Sequence, residues 1–246
     1  MNTLTVRIAA KRYPNGRCAI EELSFTARPG EFVAIVGPSG AGKTTLLKII
    51  SALDRDFEGD VQLAPQTRVG FMFQEPRLMP WLTVAQNLAL VDPGANGARL
   101  AQALERVGLK DCAALFPNQL SGGMQRRVAL LRAFMVAPQL LLMDEPFQSL
   151  DLPTADQLRA QLRTLWQDSR PTVLFVTHNL HEALSLADRV LFLTPGPSRI
   201  ALDYAMEAPR PRGLDSPAVQ RLAQQLLSEH PDLLRGRLAA CTHAMV

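Results

Sequence analysis

The sequence predicts an α/β fold with a mixed sheet, an N-terminal antiparallel β lobe and an inserted helical subdomain. Three observations support this prediction. Short alternating segments open the chain, a continuously apolar segment leads through a glycine-rich turn into a helix, and a long helical stretch interrupts the later strands. The chain has 246 residues, which suits one large domain that buries a sizeable core without disulfides.

Three strands are predicted up to Val36. LTVRIAA and AIEELSFTA alternate apolar and polar residues, and Pro14-Asn15-Gly16 and Pro29-Gly30 mark the turns between segments. EFVAIVG is continuously apolar, as expected of a strand buried on both faces. TTLLKIISAL, which follows the glycine-rich turn, has the apolar spacing of a helix.

The pattern between about 83 and 137 is helical, so we place an inserted helical subdomain there, after a short strand in RVGFMF. The core then resumes with QLLLMDE and PTVLFVTH as buried strands, ADQLRAQLRTLWQD and LHEALSLA as helices, and RVLFLTPG with RIALDYA as a hairpin. We therefore expect a domain over 1–206 and a C-terminal tail over 207–246 with one amphipathic helix, SPAVQRLAQQLLSE.

Composition excludes several classes of protein. A hydrophobic share of 47% with 20% charged residues excludes intrinsic disorder. The three cysteines are far apart and include no CxxC pair, which argues against a disulfide framework or a zinc site. No segment reaches the ~18–20 apolar residues of a membrane helix, and the N-terminus lacks the apolar core of a signal peptide. A net charge of +3 without a long basic run gives no reason to expect nucleic acid as a partner.

Residues 37–45 read GPSGAGKTT and fit the phosphate-binding pattern G-x-x-x-x-G-K-[ST]. Glycines let backbone N–H groups turn toward phosphate oxygens, and the start of the following helix adds partial positive charge. Lys43 would reach the outer phosphates, and the Thr44 hydroxyl would ligate Mg²⁺. An ordinary glycine turn is the alternative. The candidate nucleotide-binding residues are Gly37, Pro38, Ser39, Gly40, Ala41, Gly42, Lys43, Thr44 and Thr45.

The phosphate-binding pattern alone does not distinguish kinases, GTPases, recombinases and transport ATPases. A carboxylate pair at the end of LLLMDE narrows the choice among these classes. Ligands of open α/β sheets bind at the C-terminal ends of the strands. Asp144 suits a contact to Mg²⁺ through water, and Glu145 suits a base that polarises the attacking water. The pair could instead cap a helix.

Four further stretches resemble motifs of the ATP-binding cassette (ABC) ATPases, in that family's order. LSGGMQRRVALLRA at 120–133 resembles the signature motif, FMFQEP the Q-loop, SLD at 149–151 the D-loop, and the end of VLFVTH the switch histidine. Tyr13 resembles the aromatic residue that stacks on adenine, although it could be a strand aromatic alone.

The resemblance implies ATP as the nucleotide and a second ATPase subunit, expected to be the same chain. Residues Ser121, Gly122 and Gly123 would bind the γ-phosphate of ATP held by that partner. Asp151 would hold the partner's site in register. Because the signature stretch lies at a predicted helix start, its hydroxyl and N–H groups suit a phosphate.

The resemblance also assigns roles to Gln74 and His178. Gln74 would touch Mg²⁺ or the attacking water, and His178 would hydrogen-bond the γ-phosphate. A buried structural histidine is one alternative. A metal pair with His181 is another, but no third ligand accompanies the two histidines.

EPRLMPWLTVAQNL, which includes Glu75, resembles importer ATPases for nitrate, sulfonates, taurine and related solutes, as do Met124 and the phrase MDEPF. This implies an integral membrane permease that docks after Gln74, an extracytoplasmic solute-binding protein as an indirect partner, and a peripheral position on the cytoplasmic face of the membrane. The apolar residues could instead pack between lobes. The alternative functions are those of a non-transport ABC ATPase acting on DNA or ribosomes, an exporter and an unrelated kinase.

Three positions depart from the family pattern. Arg126 stands where glutamine is usual, Gln148 replaces a small residue, and Asn179 replaces aspartate after the switch histidine. We expect none of the three to touch the proposed catalytic groups.

Overall fold

The computed structural model describes residues 4–207 and 212–237. The strands are β1 (Leu4–Arg12), β2 (Cys18–Ala27), β3 (Phe32–Val36), β4 (Glu58–Leu63), β5 (Val69–Met72), β6 (Leu140–Asp144), β7 (Thr172–Thr177), β8 (Arg189–Leu193) and β9 (Ile200–Ala205). The helices are α1 (Lys43–Ile50), α2 (Val84–Ala89), α3 (Gly97–Arg106), α4 (Gly122–Met135), α5 (Leu152–Ser169), α6 (Leu180–Leu186) and α7 (Pro217–Glu229).

The chain forms two compact units. The first contains the described residues of 1–64 and 174–246, and the second contains 65–173. The extent of the domain over 1–206, the helical subdomain and the tail remain predictions, although the helices expected between 83 and 137 are present as α2, α3 and α4. Among the described residues, no helix is long and apolar enough to span a membrane.

In the first unit, β1 pairs antiparallel with both β2 and β4, which confirms an N-terminal antiparallel lobe. β4 has no counterpart among the strands that the sequence predicts. Its segment has Val61 and Leu63 as its apolar residues and is largely exposed, so backbone pairing with β1, Leu4 opposite Leu63, defines the strand.

The core of the first unit is built on β3, whose five residues are all buried. β3 runs parallel to β8, and β8 pairs antiparallel with β9, so the predicted mixed sheet and hairpin are confirmed. The C-terminal helix α7 packs against α6. Val219, Ala223 and Leu226 are buried at the four- and three-residue spacing of one helix face, as predicted for an amphipathic helix.

In the second unit, β5 and β6 pair in parallel, from Val69 opposite Leu140 to Met72 opposite Met143. Helix α4 packs directly on β5, and Gly70 makes this approach possible, because a Cβ there would overlap the Ala133 carbonyl oxygen. This packing joins the C-terminal part of α4 to β5, the strand that pairs with β6, which ends at Asp144.

Candidate functional site

The phosphate loop joins β3 to α1, as the sequence predicts. Gly42 precedes α1 with φ of 74°, a left-handed conformation that glycine adopts without strain. The Lys43 ammonium is buried and donates to the carbonyls of Gly37 (2.8 Å) and Pro38 (3.1 Å). The cation is therefore held within the curve of the loop, while Thr44 at the first turn of α1 is half-buried.

Two residues that sequence reasoning missed support this loop from outside. Arg17 donates to the Gly40 carbonyl at 3.1 Å. The buried Ser198 hydroxyl lies within hydrogen-bond distance of the carbonyls of Ala41 and Ala19, the latter at 3.0 Å. Holding loop carbonyls outward leaves the N–H groups to face the opposite side, which is the arrangement that binds an anion.

Tyr13 follows β1 and lies beside the loop, since its hydroxyl is 2.7 Å from Thr45 Oγ1. The Lys11 ammonium lies 5.2 Å from the centre of the Tyr13 ring. Thr45 is buried, so its hydroxyl positions the aromatic ring. Contact of this ring with adenine remains a prediction.

His178 follows β7 and is exposed, which excludes the buried-histidine alternative. Asn179 caps α6, accepting from the N–H groups of His181 (3.0 Å) and Glu182 (3.3 Å), a role that aspartate can also fill. No group of three potential metal ligands from His, Cys, Asp or Glu occurs among the described residues, and the metal pair lacks support.

The two carboxylates at the end of β6 have different environments. Asp144 is the last, buried residue of the strand, whereas Glu145 is half-buried and has φ of 47°, a strained backbone for a residue other than glycine. The Glu145 carbonyl accepts from Gln148 N–H (3.1 Å) and closes a turn. The next helix is capped by Asp151, which excludes the helix-cap alternative for the pair.

The expectation that the departures avoid the catalytic groups is wrong for Gln148. Gln74 is exposed, and its Nε2 donates to Oε1 of Gln148. Arg126 in turn donates to the Gln148 carbonyl at 3.3 Å. A small residue at 148 has no side chain to reach Gln74, so this contact depends on the departure.

The signature stretch begins α4, as predicted. Ser121 is the N-cap and its Oγ accepts from Met124 N–H at 3.2 Å. Gly122 and Gly123 open the helix, where N–H groups have no carbonyl one turn earlier, and Ser121 and Gly122 are exposed. An exposed helix start of this kind suits a phosphate from another molecule.

Asp151 caps α5 close to this helix start. Its carboxylate accepts from the Thr154 N–H (2.8 Å) and hydroxyl (3.0 Å), and these bonds lower the pKa of Asp151 because they favour the charged form. A Cβ at Gly123 would overlap Thr154 Cγ2, so the start of α4 packs closely against the Thr154 side chain in the first turn of α5. The structure thus brings the Ser121 and Asp151 regions together.

The apolar segment after Gln74 is held by polar contacts from the helices. Arg132 donates to the carbonyls of Pro76 and Arg77, both at 2.9 Å. The buried Asn87 side chain accepts from Met79 N–H at 2.7 Å and donates to its carbonyl at 3.1 Å. Trp81 is 70% exposed, so this ring does not pack in the core.

Comparisons with known proteins agree with this architecture. The ABC transporter family matches residues 20–148. The aliphatic sulfonates import ATP-binding protein SsuB of Bacillus licheniformis is 38% identical over 240 residues, covering 92% of this chain and 94% of that protein. The SsuB protein of Delftia acidovorans is 42% identical over 214 residues, covering 87% and 88%.

A solved structure with a similar fold is the ATP-binding cassette MJ0796, a dimer in a post-hydrolysis state bound to ADP and Pi. It has a TM-score of 0.72 and 31% sequence identity, and the match covers 83% of this chain and 99% of that one. The chain therefore belongs to the ABC transporter family and is an ATPase of that family. This confirms the family and the fold that the sequence motifs predict.

Proposed function

We propose that the chain couples ATP hydrolysis to the import of a small organic sulfonate. The relatives that match over most of the chain bear the name of sulfonate importers. One observation carries the ATP-dependent part of the proposal. A phosphate loop with its lysine held inside and an exposed, glycine-started helix occur in the same chain.

ATP would bind by its phosphates to the loop, with Lys43 exchanging its two carbonyl partners for phosphate oxygens. Mg²⁺ fits the proposed donors by chemistry, because Thr44, Gln74 and Asp144 offer a hydroxyl, an amide and a carboxylate oxygen, and Mg²⁺ prefers oxygen. When bound, the ion would neutralise charge that builds up on the phosphates. Glu145 would take a proton from the attacking water, and His178 would contact the γ-phosphate.

A second copy of the chain would complete each site. Ser121 and Gly122 are exposed, and their helix start has N–H groups to offer to a γ-phosphate on another molecule. The cap at Asp151 lies next to this surface through the Gly123–Thr154 contact, which suits a role in keeping two sites in register.

An integral membrane permease would dock on the segment after Gln74. Trp81 is exposed on a segment whose backbone Arg132 and Asn87 hold, and a fixed aromatic is the type of residue that dominates protein interfaces. This docking would place the chain on the cytoplasmic face of the membrane, with a solute-binding protein on the other side. The net charge of +3 gives no support to a nucleic-acid partner.

The test is reconstitution of the chain with its permease and solute-binding protein in liposomes. We expect ATP hydrolysis to rise with an alkanesulfonate and much less with nitrate, and Glu145→Gln to abolish the rise while ATP still binds. Trp81→Ala should lower the stimulated rate and leave the permease-free rate unchanged. Stimulation by nitrate but not by any sulfonate would refute the cargo, and a fully active Glu145→Gln would refute the assigned base.

A further inference from the structure

The Q-loop residue Gln74 is tied within the second unit to a residue that the nucleotide site does not include. Its amide donates to Oε1 of Gln148, three residues beyond Glu145. Because the bond to Gln148 uses Nε2, it does not occupy the Gln74 Oε1. Oε1 is the atom of Gln74 that a magnesium ion can use, since metals of this class bind oxygen.

Arg126 supports the position of Gln148. Its guanidinium is half-buried in α4 and donates to the Gln148 carbonyl at 3.3 Å. Burial lowers the pKa of Arg126, and the charge of Glu75, the residue after Gln74, opposes that decrease. Two consecutive residues of the Q-loop therefore interact with this pair of residues. Gln74 hydrogen-bonds to the Gln148 side chain, and the charge of Glu75 acts on the Arg126 guanidinium.

The two side chains that form this connection are both departures from the family pattern. Arg126 replaces glutamine and Gln148 replaces a small residue, and the Arg126 side chain contacts the backbone carbonyl of Gln148. The turn that carries Gln148 is closed by its own N–H, which donates to the Glu145 carbonyl at 3.1 Å. Gln148 is thus joined through its side chain to Gln74 and through its backbone to both Glu145 and Arg126.

We propose that Gln148 is a positioning residue that orients the Gln74 amide, with Oε1 as the available ligand atom, and that Arg126 holds Gln148 in place. This inference rests on the proposed function, because it concerns how Gln74 serves the nucleotide site. In this proposal Gln148 acts without touching the nucleotide. Its effect on the bound nucleotide and its ion passes through Gln74.

The test is a double-mutant cycle on Gln74→Ala and Gln148→Met, where methionine keeps the length of the side chain and removes the amide. Equilibrium binding of ATP is measured with Mg²⁺ and with EDTA, alongside kcat and KM for hydrolysis. We expect Gln148→Met to bind ATP normally in EDTA. The gain in affinity that Mg²⁺ provides, and kcat, should each fall by about 2- to 10-fold, the factor that one neutral hydrogen bond is worth.

The decisive comparison is the Gln74→Ala background, where Gln148→Met should change nothing further. Gln148→Glu, whose carboxylate still accepts from Nε2, should retain kcat within about 2-fold if a single hydrogen bond carries the effect. Equal losses with and without Gln74, or a loss that already appears in EDTA, would overturn the inference. A wild-type chain without any Mg²⁺-dependent ATP binding would instead overturn the proposed function.

Discussion

Gly123→Ala should destabilise the chain, whereas Gly122→Ala at the adjacent position should not. A Cβ at Gly123 would overlap Cγ2 of Thr154, whose Cβ and Oγ1 would lie 3.7 Å away, and a Cβ at Gly122 would meet nothing within 4 Å. Gly123 and Thr154 lie in the first turns of α4 and α5, and a side-chain N-cap holds each of these turns in place. The helices must therefore move apart or one cap must break.

Overpacking of this type costs about 1–3 kcal/mol. Because 1 kcal/mol shifts Tm by about 2–4 °C in chains of this size, we expect Gly123→Ala to lower Tm by about 2–12 °C. Gly122→Ala should leave Tm unchanged or raise it slightly, since alanine is the better helix former. Thermal unfolding followed by circular dichroism, without nucleotide, measures both.

Thr154→Ser offers a matched rescue, because it removes Cγ2 and keeps the hydroxyl that donates to Asp151. In the Thr154→Ser background, Gly123→Ala should lower the free energy of unfolding by less than about 0.5 kcal/mol, the usual effect of a substitution without a steric conflict. The reasoning fails if Gly123→Ala matches Gly122→Ala in Tm, or if its cost is the same with serine at 154.

Three further outcomes are expected. Tyr13→Ala should weaken ATP binding by about 1–3 kcal/mol if the ring stacks on the base, while Tyr13→Phe, which loses the hydroxyl bond to Thr45, should stay close to wild type in a fluorescent-nucleotide titration. Ser198→Ala should lower the free energy of unfolding in urea by about 1–3 kcal/mol, because the buried Ala41 carbonyl loses this hydroxyl as a donor, and an unchanged midpoint would contradict this. The pKa of Asp151 is lowered in the folded chain, so its charged form stabilises the fold above the unfolded pKa and this contribution is lost as pH falls through the folded pKa. The Tm difference between wild type and Asp151→Asn should therefore shrink on acidification, and a difference that grows instead would contradict the assignment.

The strands that lead into the site could be predicted, because a strand buried on both faces has an almost continuously apolar sequence. β3, β6 and β7 are fully buried and read as continuous apolar runs. β4 gave no such signal, because it is an exposed strand with two apolar residues and depends on pairing with β1. The start of α4 at Ser121 was also predicted, whereas α5 begins at Leu152, before the predicted segment ADQLRAQLRTLWQD, because Asp151 caps it.

The residues that support the site could not be predicted in the same way. Ser198 contacts the loop across 157 positions and Gln148 contacts Gln74 across 74, and neither distance is encoded in a local pattern. The sequence marks Gln148 as unusual, but the partner of its side chain is known only from the fold. Motif spacing predicts the groups that would meet the phosphates, whereas tertiary structure determines what holds those groups in place.

In the proposed function, ATP lies between the phosphate loop of one copy and the helix start at Ser121 of another. The direct measurement is the mass in solution of Glu145→Gln with ATP and Mg²⁺, by light scattering after gel filtration. We expect a dimer of the 27.0 kDa chain that requires ATP and is lost on adding Ser121→Arg, although the latter variant still binds nucleotide. A monomer that binds ATP fully, or a dimer indifferent to both ATP and Ser121→Arg, would contradict the claim.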